Sequence, residues 1–253
     1  MKSEKTKKSK HKIIVISTLI LIVIIVMFLE LEGSQTNKII KDFTTRGIYQ
    51  TTENYTAYYK VIMEKDYEDA SLRVVDEYDD IYVGTVGDVY ISSKDPLSFF
   101  VTQYISNNIR IGHSAIVNSE DAKTTVEVTG NDSKENNVVK EYENDWFQEE
   151  CKEVIVMRSK NLDCNKRIKI KEWLIKHYGM RYNYFFLLHM ENRFYCLDLC
   201  SQAYESIEED IDGKSIFTFG SSIVQDEDMY IIYYKKKVNK ENIKYEVYYL
   251  SEE

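Results

Sequence analysis

The 253-residue sequence predicts an α+β domain with a mostly antiparallel sheet, carried behind one N-terminal membrane helix. Two observations lead there. A run of 17 residues without a charge, Ile13 to Leu29, follows a lysine-rich start. From about Asp79, β-branched strand-like segments mix with amphipathic helical ones without a βαβ rhythm, which favours α+β over a doubly wound sheet.

The N-terminal run sets the address. At about 1.5 Å per residue, 17 residues lies near the short end of what spans a bilayer core. A secretory signal peptide has a shorter apolar region and a small-x-small cleavage site, and "ELEGSQT" offers no such site. The segment therefore reads as an uncleaved signal anchor, residues 13–29. Lys2, Lys5, Lys7, Lys8, Lys10 and Lys12 precede it. Basic flanks stay in the cytoplasm, so residues 1–12 form a cytoplasmic tail and the rest is expected outside the cell membrane.

The external part is acidic. The whole chain has 33 basic and 42 acidic residues; the first twelve positions hold six and one of these, which leaves 27 against 41, a net of −14. That excludes nucleic acid as an expected partner, because phosphate binding needs a basic face. One proline, with abundant Lys, Asn and Ile, matches the AT-rich codons of a low-GC bacterial genome.

Residues 30–78 read as a stalk or helical lead-in, with patchy helical periodicity and no nameable chemistry. Residues 79–253 read as the functional domain. "DIYVGTVGDVYIS" is a strand punctuated by Gly84 and Gly87. "DPLSFFVTQYISNNI" is a helix with Asp95 as its cap and Pro96 in its first turn. "RIGHSAIVNSEDAKTTVEVTG" is a hairpin around "NSEDA", and "CKEVIVMRSK" is a further strand. "NKRIKIKEWLIKHYG" is a helix stopped by Gly179. "NRFYCLDLCSQAYESIEED" gives another helix, and "DMYIIYYKKK" with "NIKYEVYYL" a closing strand pair.

Cys196 and Cys200 share one helix face, one turn apart. They could be a metal pair, a disulfide pair, or one working thiol beside one that packs. C-x₃-C without a nearby His or second Cys pair matches zinc spacings poorly, so neither metal nor cofactor is expected. Cys196 falls in the first helical turn, where unpaired N–H groups and the helix dipole favour a thiolate. Cys200 falls on the apolar stripe of Leu199, Ala203, Tyr204 and Ile207, and is expected to pack. Among the histidines, His113 lies inside a hairpin strand. With "NSEDA" as a five-residue loop, Val117 pairs with Lys123, Ala115 with Thr125, and His113 with Glu127. A carboxylate there would fix the imidazole tautomer. Each residue has a plainer alternative: packing for Cys196, a structural role for His113, a solvent-facing position for Glu127. Cys151 and Cys164 could bridge in an oxidising compartment.

The order of these segments resembles the permuted NlpC-type papain-like cysteine hydrolases, in their YiiX/YycO-like branch. That pattern runs from a "GD" strand through "GH-x-A-hydrophobic" and a Glu-bearing strand to "YC-x-x-L-x-x-x-AY". Here these are "VGDVYIS" with Gly87 and Asp88, "GHSAIV" with His113, "VEVTG" with Glu127, and "FYCLDLCSQAY" with Cys196, Leu199, Ala203 and Tyr204. The likeness covers roughly residues 80–235. It implies a circularly permuted papain-like α+β fold, with Cys196 as nucleophile, His113 as base and Glu127 as the orienting third residue. It implies acyl transfer on an amide or ester, with cell-wall peptides or acyl amides as substrates. Tyr182 and Tyr184 are candidates to line the pocket, with core packing as the alternative. One departure stands out: the family commonly has Ser or Thr after the nucleophile, and here it is Leu197. That departure supports a second reading, a catalytically impaired papain-like interaction module at the cell surface.

Overall fold

The computed structural model describes residues 2–63, 82–93, 100–130, 133, 136–147, 153–185, 190, 192–213 and 217–251. Among them, nine strands form one sheet. In chain order these are β1 (Ile48–Glu53), β2 (Thr56–Ile62), β3 (Val89–Ser92), β4 (His113–Val117), β5 (Thr124–Glu127), β6 (Lys140–Glu143), β7 (Glu153–Ser159), and, after a separate small pair, β10 (Met229–Lys240) and β11 (Ile243–Ser251). Their spatial order is β1-β2-β11-β10-β7-β3-β4-β5-β6. Every pairing is antiparallel except β2 with β11. The small pair is β8 (Arg181–Tyr182) with β9 (Arg193–Phe194). The helices are α1 (Lys2–Thr45), α2 (Phe100–Ile109), α3 (Cys164–Lys176), α4 (Cys196–Glu205) and α5 (Gly220–Gln225). The architecture is the α+β, mostly antiparallel one that the sequence predicts.

The central strands are apolar on both faces because both are covered. All four residues of β3 and six of the seven of β7 are buried. α4 packs against β4 and α3 against α4. Helix ends follow their chemistry. The Asp163 side chain accepts from the Lys166 N–H at 2.7 Å and caps α3. Gly179 takes φ 82° beyond its C-terminus, a left-handed conformation that costs a residue with a Cβ more.

Two expectations change, and one falls partly outside the described residues. The strand expected to begin at Asp79 begins at Val89, because Gly84 (φ 88°) and Gly87 (φ 93°) turn the chain before it. The helix expected from Asp95 is described from Phe100; Asp95 and Pro96 lie outside the described residues. In the 30–78 stretch, residues 30–45 continue α1 and 48–62 form a hairpin whose second strand extends the main sheet beside β11. Residues 64–78 lie outside the described residues. The hairpin is held by an edge that the C-terminal strand offers, which local sequence does not reveal.

α1 has two halves. From Ile13 to Phe28 its apolar side chains are exposed, unlike those of a soluble core helix, and the helix is long and apolar enough to cross a membrane. From Leu29 a buried seam begins: Leu29, Gly33, Thr36, Ile40 and Phe43, at alternating spacings of four and three. This seam packs on α2 and α5. At Gly33 the helices approach closely, since a Cβ there would stand 3.3 Å from the Asn108 Cα and collide with its side chain.

At the start of β3, Asp88 forms an ion pair with Arg158 of β7, both side chains fully buried. Arg158 donates from Nε to Oδ1 at 3.0 Å and from Nη2 to Oδ2 at 2.7 Å, and the Thr85 N–H donates to Oδ2 at 2.9 Å. Asp88→Asn keeps the shape but leaves Arg158 charged without its counter-ion. We expect it to lower the unfolding free energy by about 3–5 kcal/mol, measured by denaturant unfolding of the detergent-solubilised chain. Adding Arg158→Met should recover part of that loss, because no buried charge then stands alone.

Candidate active site

The hairpin that carries His113 differs from the expected register. Ile116 pairs with Val126 and Val117 with Thr125, an offset of two residues. Side chains alternate with a period of two, so an even offset keeps each on its face. Continuing the count sets Ala115 opposite Glu127, with His113 as the diagonal neighbour of Glu127, still on the same face. His113 Nε2 donates to Glu127 Oε2 at 2.6 Å. The other carboxylate oxygen accepts from Thr125 Oγ1 at 2.7 Å and Trp146 Nε1 at 2.8 Å. Trp146 also stacks on the imidazole, with centroids 5.3 Å apart and planes inclined by 14°.

Cys196 is the first residue of α4, and its side chain meets His113 across the sheet–helix boundary. The imidazole hydrogen-bonds the sulfur. With Nε2 given to Glu127, Nδ1 is the nitrogen left for the thiol. Tyr195 caps the helix without a side-chain hydrogen bond. The first-turn N–H groups thus receive no capping side chain, which suits an anion. Ser114 adds a hydroxyl and a backbone contact at the same sulfur. Its hydroxyl also accepts from Cys200 Sγ at 3.8 Å. Leu197, by contrast, is buried in the core.

The electrostatics divide the two thiols. At His113 burial opposes the imidazolium, but hydrogen bonds to Cys196 and Glu127, and then their charges, outweigh it and raise the pKa from 6.5 to about 10. At Cys196 burial opposes the thiolate, yet the His113 hydrogen bond and charge, with Ser114, bring the pKa below its usual 9.0. Burial likewise works against the Glu127 anion, and His113, Trp146 and Thr125 together hold its pKa below the ordinary carboxylate value. Cys200 is fully buried and its pKa is pushed up by that burial. The arrangement favours a thiolate–imidazolium pair at Cys196 and a neutral thiol at Cys200.

The tyrosines part company. Tyr182 is buried, and its ring lies against Gly130, where a Cβ would stand 2.8 Å away. Burial, and then charge on Cys196, raise its pKa. Tyr184 is half exposed, packs edge-on to Tyr182 at 5.0 Å and accepts from Asn137 Nδ2 at 2.5 Å. Cys164 opens α3 and is exposed, while Cys151 lies outside the described residues. His177 stacks on Trp173 at the end of α3 and meets Phe194 edge-on at 5.5 Å, and His189 lies outside the described residues. Sequence reasoning missed Ser114, Thr125 and Trp146. Thr125 carried one local signal, its place two residues from Glu127 on the same strand face.

Iodoacetamide should alkylate Cys196 near neutral pH far faster than Cys200, read by peptide mass spectrometry after timed quenching. His113→Ala should move the pH midpoint of Cys196 alkylation upward, because the imidazolium that lowers it is gone. Faster modification of Cys200 would reverse the assignment of the two thiols.

Residues 80–245, well over half of the chain, match the family described as permuted papain-like amidase enzyme, YaeF/YiiX, C92 family. A solved structure, the crystal structure of metalloprotein yiiX from Escherichia coli O157:H7, is similar at 14% identity and a TM-score of 0.43, over 62% of this chain and 97% of that one. No curated protein sequence matches the chain. With residues 80–245 matched, and the expected α+β architecture in place, the chain belongs to the permuted papain-like amidase family of YaeF and YiiX.

Proposed function

We propose that the protein is a membrane-anchored, extracytoplasmic cysteine hydrolase, an amidase or peptidase that works by acyl transfer through Cys196, His113 and Glu127. The observation that carries this reading is the 2.6 Å His113–Glu127 contact, with the first-turn thiol of α4 on the other side of the same imidazole. The Cys196 thiolate attacks an amide or ester carbonyl. The N–H groups at the start of α4 stabilise the oxyanion. His113 protonates the leaving group, and water then releases the acyl group. Glu127 keeps the imidazole oriented and charged, and Trp146 and Thr125 keep Glu127 in place. Tyr182 and Tyr184 line the substrate side. The second reading, an impaired interaction module, rests on Leu197. Ser114 weighs against it, since it brings a hydroxyl to the sulfur from the neighbouring strand.

Turnover of an acyl ester or amide by the full chain tests this. Cys196→Ala should abolish it, and His113→Ala should reduce it about a hundred- to ten-thousand-fold. Glu127→Gln should reduce it less, because the orienting hydrogen bond survives while the charge is lost.

The pH profile has a definite sign. Activity should rise as Cys196 ionises below its ordinary pKa, and fall with a midpoint near about 10 as His113 loses its proton. In Glu127→Gln the alkaline limb should move to lower pH, since one group that raises the His113 pKa has gone. An alkaline limb unmoved by that substitution would remove Glu127 from the site.

The lysines before Ile13 support an N-terminus inside and residues 30–253 outside. Protease added to intact cells should therefore remove the C-terminal domain. Its survival, while purified protein is digested, would reverse the topology.

A further inference from the structure

Two groups beside Cys196 take no part in the acyl-transfer steps: the Ser114 hydroxyl and the Cys200 thiol. Both side chains are fully buried. The strand explains why they meet. Side chains alternate along β4, so Ser114 turns away from the face that His113 shares with Glu127. It turns toward α4, which packs on β4. Cys196 and Cys200 stand one helical turn apart, so both sulfurs lie on the helix face that Ser114 meets. Cys200 Sγ donates to Ser114 Oγ at 3.8 Å, and the same hydroxyl hydrogen-bonds the Cys196 sulfur. The hydroxyl therefore bridges the two thiols.

The direction of each bond follows from the charges. A hydroxyl has one proton to give and two lone pairs to receive with. A thiolate only accepts, and accepts more strongly than a neutral sulfur. With Cys196 ionised, the Ser114 proton goes to Cys196 and a Ser114 lone pair takes the Cys200 S–H. The opposite direction would turn the oxygen lone pairs toward an anion. Cys200 has to keep its proton for this, and burial keeps it there by pushing its pKa up. His113 of β4, Glu127 of β5, Tyr182 of β8 and Asp198 of α4 also act on these two sulfurs.

We propose that Ser114 is a hydroxyl donor to the nucleophile, and that Cys200 is a positioning residue whose S–H fixes the Ser114 hydroxyl in the orientation aimed at Cys196 Sγ. The proposal rests on Cys196 being the nucleophile. It gives the second cysteine a role in the site beyond packing, although the two thiols never exchange a proton. The hydrogen bond stabilises the thiolate before attack, and weakens once the sulfur becomes a neutral thioester. Its effect is a thiolate that exists at lower pH and is less nucleophilic for each ionised molecule. With Leu197 apolar and buried, the hydroxyl beside the nucleophile comes from the strand, and the helix holds it in place through Cys200.

The test follows the reaction of Cys196 with 4,4′-dithiodipyridine against pH, in the detergent-solubilised full chain carrying Cys151→Ser and Cys164→Ser. Ser114→Ala should raise the pH midpoint by about one unit, the size of one hydrogen bond to a charged group. Its plateau rate at high pH should rise about threefold, because the more basic thiolate is the stronger nucleophile. Loss of packing alone would not move midpoint and plateau upward together. Cys200→Ala should raise the midpoint by about three-tenths of a unit, and by nothing further once Ser114→Ala is present. Ser114→Thr keeps the hydroxyl and should bring the midpoint back. If Ser114→Ala fails to fold, Cys200→Ala decides alone, since it leaves β4 unaltered. An unmoved midpoint in Ser114→Ala, or one that Ser114→Thr does not bring back, overturns the hydroxyl donor, while hydrolysis of 4-nitrophenyl acetate by the parent chain leaves the hydrolase standing. No shift from Cys200→Ala, or the same shift with and without Ser114, overturns the positioning role. Failure of the parent chain to hydrolyse 4-nitrophenyl acetate would remove Cys196 as nucleophile, and this proposal with it.

Discussion

The corner at Gly87 and Asp88 holds this molecule together. Four segments meet there. The Asp88 carboxylate takes the buried Arg158 guanidinium of β7, with Arg167 of α3 3.6 Å away. The Gly87 N–H donates to the Val117 carbonyl and the Val117 N–H to the Asp88 carbonyl, both at 2.9 Å, which ties the corner to the strand of His113. The Gly87 carbonyl accepts from the Tyr204 hydroxyl at 2.8 Å, which ties it to the helix of Cys196. Two charges taken out of water are costly unless matched closely, and here several donors do the matching. The relative position of β4 and α4, and so of imidazole and thiol, depends on this corner.

Within the site, charge is arranged in a line. Glu127 is held as an anion by three donors, His113 lies between two acceptors, and Cys196 lies at a helix start with a second hydroxyl beside it. Each group stabilises the ionised form of the next, so the ion pair persists despite burial. Cys200 lacks such a neighbour, although it is only one turn away. The difference between the two thiols is thus a matter of partners rather than of sequence distance.

The anchor is part of the domain's packing. The seam from Leu29 to Phe43 buries one stripe of α1 against α2 and α5, and the Gln225 side chain donates to the Glu32 carbonyl at 3.1 Å and to Thr36 Oγ1 at 3.0 Å. A domain fixed in this way does not explore all orientations above a membrane, as one on a flexible linker would.

Several features of the site were legible without coordinates, because they depend on short-range periodicity. A thiol at the start of an amphipathic helix, a histidine inside a hairpin strand, and a glutamate on the same face all follow from repeats of 3.6 and 2. Even the register offset of two left Glu127 facing His113, since parity decides the face. The sequence alone also sufficed to single out the apolar span and its lysine flank. Tertiary structure decided what depends on residues far apart in the chain. Trp146 stacks on His113 and bonds Glu127, Ser114 sits beside Cys196, the 48–62 hairpin finds its edge at β11, and α1 docks on helices more than fifty residues away. These contacts form only once long loops have closed and an apolar surface offers a partner. Neither condition is written in the local pattern of any one segment.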